Sequence, residues 1–330
     1  MSFSEIKGQE AAIGILQSSL RQGRIAHAYL FHGIHGVGKR KAAVAMAKTM
    51  NCTGSETGAA CGTCGSCLRI ESGTHPDILQ VRRSGSFVRI EQIRILKRAL
   101  IYKPLEGRYR VAIIDEADFL NRESANSLLK TLEEPPEQSI IILIVADIDG
   151  LLPTIVSRCM MVPFRPLSPS VISGCLLSGH KDRLSEEEAG LLGSLSGGSM
   201  ETAMRLADRK NMDARKELCR RLSQISRRHL DTAMALAEDL AENKDDLSDM
   251  TTVLKTFIRD VMALKQGLAE KGLINKDLKD MIGRCAEQWQ EEELFKSWDL
   301  LTRAEDALGR NFNRQLILEN AFLALGVCRT

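Results

Sequence analysis

Four cysteines, Cys52, Cys61, Cys64 and Cys67, lie close together in the spacing C-x8-C-x2-C-x2-C. Two successive C-x-x-C steps are typical of a structural zinc site, in which four thiolates close a tetrahedron around the ion. A redox pair is the alternative, since one C-x-x-C step also serves thiol–disulfide exchange. Four clustered cysteines favour zinc, and a closed ligand set leaves no position for a substrate. We therefore predict a structural zinc module at residues 52–67.

A second segment has the spacing of a phosphate-binding loop. Gly33, Gly38 and Lys39 fit the pattern G-x-x-x-x-G-K, with Gly36 inside it. Glycines let backbone N–H groups wrap around phosphates, the next helix offers its N-terminus, and the lysine reaches the outer phosphates. An apolar run precedes the loop and a helical run follows it, as the motif requires. The sequence thus predicts a nucleotide-binding loop; a glycine turn with a solvated lysine is the alternative.

The loop departs from its pattern directly after the lysine, where Arg40 replaces the expected Ser or Thr. That hydroxyl normally coordinates Mg²⁺. A guanidinium group has five hydrogen-bond donors and no acceptor, so it cannot ligate a metal, and it brings positive charge to the position of the cation. We expect any ATP or ADP bound by this loop to be held weakly and not hydrolysed.

Two carboxylates end a later apolar run. Residues 111–114 are Val-Ala-Ile-Ile, and Asp115 and Glu116 follow them. In a nucleotide-hydrolysing site the first acid holds the magnesium shell and the second polarises the attacking water. A solvated acidic turn is the alternative interpretation. The intact acids favour ATP hydrolysis, whereas Arg40 argues against it. We give Arg40 more weight, because the loss of one metal ligand impairs the whole catalytic site.

The elements that position these residues alternate along the first half of the chain. Apolar runs predict five strands, at residues 28–32, 77–81, 111–114, 140–146 and 160–162, with helical segments between them. Strands that are apolar throughout are typical of a parallel sheet covered by helices on both faces. No further strand is predicted beyond residue 165. The apolar faces of residues 289–309 and 316–327 suit either a domain core or a subunit interface.

Composition limits the function classes. The 45 basic and 43 acidic residues give a formal net charge of +2, which argues against a protein that binds DNA through its own basic field. The N-terminus lacks the pattern of a signal peptide, and no apolar run is long enough to span a bilayer. We therefore expect a cytoplasmic protein whose contact with DNA, if it has one, is shared with an assembly.

Two segments carry the most specific pattern of the chain. Residues 125–136 read Ala-Asn-Ser-Leu-Leu-Lys-Thr-Leu-Glu-Glu-Pro-Pro, and residues 151–159 end in Ser157, Arg158 and Cys159. They resemble the helix after the acidic pair and the Ser-Arg-Cys motif of bacterial clamp-loader subunits of the AAA+ type. The resemblance covers roughly residues 5–210 well and the remainder loosely.

This resemblance implies an AAA+ fold with three domains. They are an α/β P-loop domain over residues 1–165 with the zinc module inserted in it, a small helical lid over 166–210, and an all-helical collar domain over 211–330. The last of these would join the subunits into a ring.

The resemblance also assigns a role to Arg158. It implies an arginine finger that acts in trans, reaching ATP held by a neighbouring subunit and stabilising the charge of the transition state there. From the residues alone, Arg158 would be a solvated side chain at a helix end. Thr202 stands where hydrolysing members carry an arginine in the lid helix, and Asp147 lies nearest to the polar residue expected after the fourth strand. With Arg40, Thr202 implies a member that has lost its own ATPase.

The resemblance therefore points to a delta-prime-type subunit of the bacterial replicative DNA polymerase, not to the gamma/tau motor type. It implies gamma/tau-type motor subunits and a delta-type subunit as partners, with the sliding clamp and primed DNA reached through the complex. Such a subunit has no ATPase of its own but belongs to a nucleotidyltransferase holoenzyme. Two alternatives stay open: an ATP-hydrolysing gamma/tau-type subunit, and a zinc-containing nucleic-acid-binding module whose DNA affinity would be tight and salt-sensitive.

Overall fold

The computed structural model describes residues 2–54, 59–83, 85, 87–179, 184–225, 230–242, 247–267, 269, 272–307 and 313–325. The chain divides into two compact units, Met1–Ser168 and Pro169–Thr330. The three-domain boundaries expected from the sequence stay a prediction. Among the described residues, no helix combines the length and the apolar character needed to cross a membrane.

A five-stranded, all-parallel sheet forms the centre of the first unit. Its strands are β1 (Ala28–His32), β2 (Ile78–Val81), β3 (Arg110–Ile114), β4 (Ser139–Val145) and β5 (Met160–Pro163). The strand order is β2-β3-β4-β1-β5. Every residue of β3 and β4 is buried, which is why these strands are apolar without alternation after their first residues, Arg110 and Ser139. The five predicted strands are confirmed, each within one residue of its expected ends.

Helices cover both faces of this sheet. They are α1 (Glu10–Arg21), α2 (Lys39–Asn51), α3 (Gly65–Ser72), α4 (Ile90–Leu100), α5 (Arg122–Glu133) and α6 (Pro153–Val156), with 3-10 turns at Phe3–Glu5 and Ala117–Phe119. Leu128 of α5 and Ile155 of α6 share a buried cluster with Leu30 of β1. On the other face, the hydroxyl groups of Tyr29 and Ser19 lie 2.9 Å apart and are hydrogen-bonded. Adjacent residues of β1 thus face opposite layers, as the pleat of a strand requires.

Local sequence fixes both ends of α5. The side chain of Asn121 caps its first turn by accepting a hydrogen bond of 2.8 Å from the backbone N–H of Ser124. Pro135 and Pro136 prevent its continuation, because proline lacks an N–H and disfavours helical geometry in the preceding residue. Glu133 is therefore the last residue of the helix.

A buried carboxylate ties the start of β2 to β3. Asp77 is fully buried and accepts hydrogen bonds of 2.8–2.9 Å from the backbone N–H groups of Leu105, Glu106 and Gly107. Arg110 of β3 adds an ion pair at 2.9 Å. Burial by itself would raise the pKa of Asp77, but these donors outweigh it and lower the pKa to about 2.

The described residues of the second unit contain helices and no strand. The helices are α7 (Pro169–Gly179), α8 (Glu186–Leu195), α9 (Met200–Leu206), α10 (Arg209–Ser223), α11 (Leu230–Glu242), α12 (Leu247–Lys265), α13 (Lys279–Gln288), α14 (Glu291–Ala307) and α15 (Arg314–Ala324), with a 3-10 turn at Lys276–Leu278. Ser185 begins α8 with a capping box, since its hydroxyl accepts from the backbone N–H of Glu188 and its N–H donates to the Glu188 carboxylate.

The last helices contribute to the apolar core of this unit. Trp289, Leu294, Leu301 and Phe322 are all buried in one cluster with residues of α10, α11 and α12. The part of the expected apolar faces at residues 308–309 and 326–327 lies outside the described residues. Most described apolar side chains of these helices are thus used inside the unit, whereas Phe295 and Leu316 are exposed.

Candidate functional site

The glycine loop connects β1 to α2 at the carboxyl edge of the sheet. Gly36 and Gly38 have φ angles of 75° and 99°, which glycine adopts without strain. Gly33 has a φ of 139°, and a Cβ there would lie 2.1 Å from the carbonyl oxygen of Phe164. Because Phe164 directly follows β5, any side chain at Gly33 would push the loop and that strand apart.

Lys39 and a buried glutamine hold the loop in shape. The Lys39 ammonium donates hydrogen bonds to the carbonyl oxygens of Gly33 and Ile34, the latter at 2.8 Å. The side chain of Gln9 donates to the carbonyl oxygens of Val37 at 3.2 Å and Arg165 at 2.7 Å. The sequence analysis missed Gln9, which no motif marks. The lysine thus lies beside the loop, and α2 begins at the end of the loop; phosphate binding there stays a prediction.

Arg40 lies against the first acid of the pair. Its Nε is 3.6 Å from Oδ2 of Asp115, and its Nη2 donates to Oε1 of Gln80 at 2.8 Å. Burial and the nearby Arg82 lower the pKa of Arg40, and Asp115 opposes both; the group stays charged because arginine is not deprotonated in proteins. The residues present do not fit a magnesium ion, since hydrogen-bond donors face the carboxylate that would hold it.

A second arginine pairs with the second acid. Nε of Arg83 is 3.0 Å from Oε2 of Glu116, and the Arg83 guanidinium lies 4.8 Å from the ring centre of Phe119. Glu116 itself has a φ of 53°, an uncommon left-handed conformation that turns the chain directly after β3. The sequence analysis did not single out Arg83. Its position shortly after β2 was the available signal, because the carboxyl ends of parallel strands meet at one edge of a sheet.

Arg158 lies at the opposite edge of the sheet, between α6 and the amino end of β5. Its Nη2 is 2.7 Å from Oε1 of Glu133, and its Nη1 donates to the carbonyl oxygen of Thr154 at 2.8 Å. β1 and β5 are parallel neighbours, and the four residues of β5 span about 13 Å. The structure therefore brings the glycine loop together with Asp115 and Glu116 and places Arg158 apart from them.

The two other positions singled out in the sequence supply no positive charge. Thr202 lies in the first turn of α9, where its backbone N–H donates to the Ser199 hydroxyl at 3.2 Å. Asp147 is exposed shortly after β4, and its carboxylate accepts a hydrogen bond of 3.1 Å from the backbone N–H of Asp149. Thr202 cannot replace the arginine that the resemblance implies for hydrolysing members, and Asp147 is polar, as expected after the fourth strand.

The four cysteine sulfurs converge at the N-terminus of α3. All four Sγ atoms lie within 4.8 Å of one another, and those of Cys52 and Cys64 are 3.9 Å apart. Tetrahedral zinc–thiolate bonds place neighbouring sulfurs about 3.8 Å apart. Gly54 allows this approach, since a Cβ there would lie 3.1 Å from the Cys61 sulfur. The cysteines can therefore hold zinc; residues 55–58 of the predicted module lie outside the described residues.

Backbone N–H groups surround these sulfurs. The N–H of Cys61 donates to Cys52 and that of Cys64 to Cys61, both at 3.3 Å. The N–H of Cys67 donates to the Cys64 sulfur, and with bonds from Thr53 it lowers the pKa of Cys64 to about 5. Burial raises the pKa of Cys67 to about 12. A bound dication would hold that buried thiol as a thiolate, which is what a structural metal site requires.

Comparison with known proteins identifies the family. The chain matches the model described as DNA polymerase III, delta subunit, over residues 8–168, and its C-terminal counterpart over residues 209–326. It is 31% identical over 322 residues to DNA polymerase III subunit delta' of Bacillus subtilis, covering 96% of each chain. The chain belongs to the clamp-loader family of DNA polymerase III subunits.

Relatives of the tau type match from about half to nearly all of this clamp-loader subunit. DNA polymerase III subunit tau of Escherichia coli is 41% identical over 166 residues, which are 50% of this chain and 26% of that protein. A solved structure, the DNA polymerase III gamma subunit-related protein of Thermotoga maritima, is 20% identical with a TM-score of 0.45, covering 93% of this chain and 97% of that one. The clamp-loader subunit thus spans nearly all of the delta' relative and about a quarter of tau.

Proposed function

We propose that this clamp-loader subunit is of the delta-prime type, does not hydrolyse ATP, and supplies Arg158 in trans to ATP held by a neighbouring motor subunit. Its partners are gamma/tau-type motor subunits and a delta-type subunit. Together they place the sliding clamp on primed DNA, with this chain as the part that does not move through an ATP cycle.

The observation that carries this proposal is the position of Arg158 at the sheet edge opposite its own glycine loop. An arginine finger must reach the phosphates whose transition-state charge it stabilises. A strand length of about 13 Å separates Arg158 from the edge that bears its own loop. Arg158 lies at the amino end of β5, and about a third of its side chain is exposed. It is therefore available to phosphates bound by another chain.

The pairing of both acids supports the absence of hydrolysis. Asp115 and Glu116 would have to bind metal and water in an active site, yet each faces a guanidinium, those of Arg40 and Arg83. A magnesium ion would have to displace the first and an activated water the second. This pairing supports a site that binds phosphate at Lys39 while its two acids are occupied by arginines.

The cysteine cluster is proposed as a structural zinc site with Cys52, Cys61, Cys64 and Cys67 as ligands. Zinc would supply a fixed cross-link between the end of α2 and the start of α3. The closed ligand set offers no position for chemistry. The near-neutral charge of the chain, +2, disfavours the alternative in which this module binds nucleic acid on its own.

One competing function has an observation in its favour. The 41% identity to subunit tau over 166 residues, together with the two acids Asp115 and Glu116, is what an ATP-hydrolysing gamma/tau-type subunit would show. Arg40 is the residue that decides against it, because a working site needs a hydroxyl at that position.

The test measures phosphate release by the purified chain alone and by the motor subunit with and without it, in the presence of clamp and primed DNA. The chain alone is expected to be inactive, and its addition is expected to raise the activity of the motor subunit. Arg158→Ala should remove most of that increase, because an arginine finger contributes about a thousandfold or more, and should leave assembly intact. Steady turnover by the isolated chain, or an undiminished increase with Arg158→Ala, would refute the proposal.

A further inference from the structure

We infer that Glu133 is the positioning residue of Arg158. Its carboxylate holds the guanidinium at the amino end of β5, in the orientation in which the guanidinium contacts a neighbour's triphosphate. This inference rests on the proposed function, because it assigns a partner to the finger. No sequence motif considered above gives Glu133 a role in that site.

The contact fixes the guanidinium from two sides. Nη2 of Arg158 is 2.7 Å from Oε1 of Glu133, while Nη1 donates to the Thr154 carbonyl oxygen at 2.8 Å and lies 3.4 Å from the Ser157 hydroxyl. A guanidinium has five N–H groups in a rigid planar fork. These contacts use three of them, which leaves donors for phosphate oxygens while the plane of the group stays fixed.

Buried neighbouring residues hold the backbone in place at both Glu133 and Arg158. Glu133 directly follows Leu132, which is 1% exposed, and Arg158 follows α6, whose Ile155 is fully buried. Leu132 and Ile155 belong to the same apolar cluster. The distance between the two backbones is therefore set by core packing, and the ion pair needs only to select the side-chain rotamers.

The position of Glu133 is unfavourable unless it has a cation beside it. It is the last residue of α5, where the helix dipole and the unpaired carbonyl groups disfavour negative charge. The exposed Lys130 of the same turn is one source of positive charge, but the hydrogen-bonding contact is made with Arg158. With a half-exposed pair of this kind, the gain in stability is small. An effect on orientation is then the larger consequence of the contact.

An untethered arginine samples many rotamers, of which few direct its donors at a given phosphate. Loss of Glu133 should therefore reduce the productive fraction of Arg158 without changing how the motor subunit binds ATP. We expect Glu133→Ala to lower the kcat of the ATPase increment about tenfold, with little change in KM. Glu133→Gln keeps a hydrogen-bond acceptor and loses the charge, so its decrease should be smaller, about threefold.

The experiment compares four forms of the full chain in complex with its motor subunit: wild type, Glu133→Ala, Arg158→Ala and the double variant. The increment in kcat that each form adds is measured over a range of ATP concentrations. The double variant should equal Arg158→Ala alone, because Glu133 acts only through the arginine. Glu134→Ala, at the exposed neighbouring position, is the matched control and should behave as wild type. Urea unfolding and complex formation are measured for each form to exclude a folding or assembly defect.

The outcomes separate this inference from the proposed function. A full increment with Glu133→Ala, in an assay where Arg158→Ala abolishes it, would overturn the positioning role and leave the arginine finger standing. A further loss in the double variant beyond Arg158→Ala would also overturn it, since Glu133 would then act by another route. A full increment with Arg158→Ala would remove the finger and the positioning role together.

Discussion

Replacing Arg40 by threonine should make ATP binding by this chain depend on magnesium more strongly than it does in the natural protein. The substitution removes the guanidinium that lies 3.6 Å from Asp115 and restores a hydroxyl that can ligate the metal. Turnover should stay low in the same variant, because Glu116 remains paired with Arg83.

The charge of Arg40 sets the scale of the effect. A magnesium ion on Asp115 would stand about 4 Å from the Arg40 guanidinium, given metal–oxygen distances of about 2.1 Å. Repulsion between the dication and the guanidinium then costs about 2 kcal/mol even at the dielectric constant of water. That energy corresponds to about 30-fold in affinity, and the 45% exposure of Arg40 keeps the repulsion close to its value in water.

The assay titrates each variant with a fluorescent ATP analogue, with magnesium and with chelator. Arg40→Gln removes the charge without adding a hydroxyl, so it should gain the electrostatic part alone, about 30-fold. Arg40→Thr should gain more than this, and Arg40→Lys, which retains the charge, should resemble the natural protein.

Two results would refute this account of the loop. One is a natural chain whose ATP affinity already rises strongly with magnesium, which would mean that Arg40 moves aside. The other is an Arg40→Gln variant without any gain, which would show that the repulsion is not what keeps the metal out.

Three further predictions concern stability. Elemental analysis should find one zinc per chain, and chelation should unfold the cysteine segment because metal binding and folding are coupled there; a metal-free chain of equal thermal stability would rule the site out. Folding lowers the pKa of Asp77 to about 2. Its contribution to the free energy of unfolding is therefore fully present above the unfolded pKa and falls by about 2 kcal/mol as the pH drops from about 4 to about 2. Urea unfolding measured at a series of acidic pH values should show this loss. Asp77→Asn should abolish this pH dependence. It should also lower the stability at pH 7 by about 3 kcal/mol, because it leaves the buried Arg110 without its ion-pair partner. Gly33→Ala should lower the melting temperature, because its Cβ would collide with the carbonyl group of Phe164; an unchanged melting temperature would mean that the loop yields freely.

The parallel sheet was predictable because its strands carry a strong signal. Strands buried on both faces, such as Ser139–Val145, cannot contain alternating polar residues, so their apolar runs stand out from the surrounding helices. The strand order is not contained in those runs. It is set by packing between distant segments, which the residues of a single strand do not report.

The candidate site was predictable only where a motif marks it. Glycine spacing, the acidic pair and the cysteine spacing each reflect a local geometric need. Arg83 and Glu133 act through partners that lie 33 and 25 positions along the chain, and their types are common on any protein surface. Such pairs become visible when the fold brings their elements together.

Under the proposed function, the sheet also explains how one chain keeps its arginine finger after losing its own ATP hydrolysis. Parallel strands collect the glycine loop, Asp115 and Glu116 at one end of the sheet, where Arg40 lies against Asp115. Arg158 is attached to the other end through α6 and β5, whose Ile155 and Val162 are fully buried. Substitutions at the first end therefore do not move the arginine, so a subunit can lose its own hydrolysis and still act on a neighbour's ATP. The converse also holds, since a change at Glu133 or Arg158 leaves the glycine loop of the same chain undisturbed.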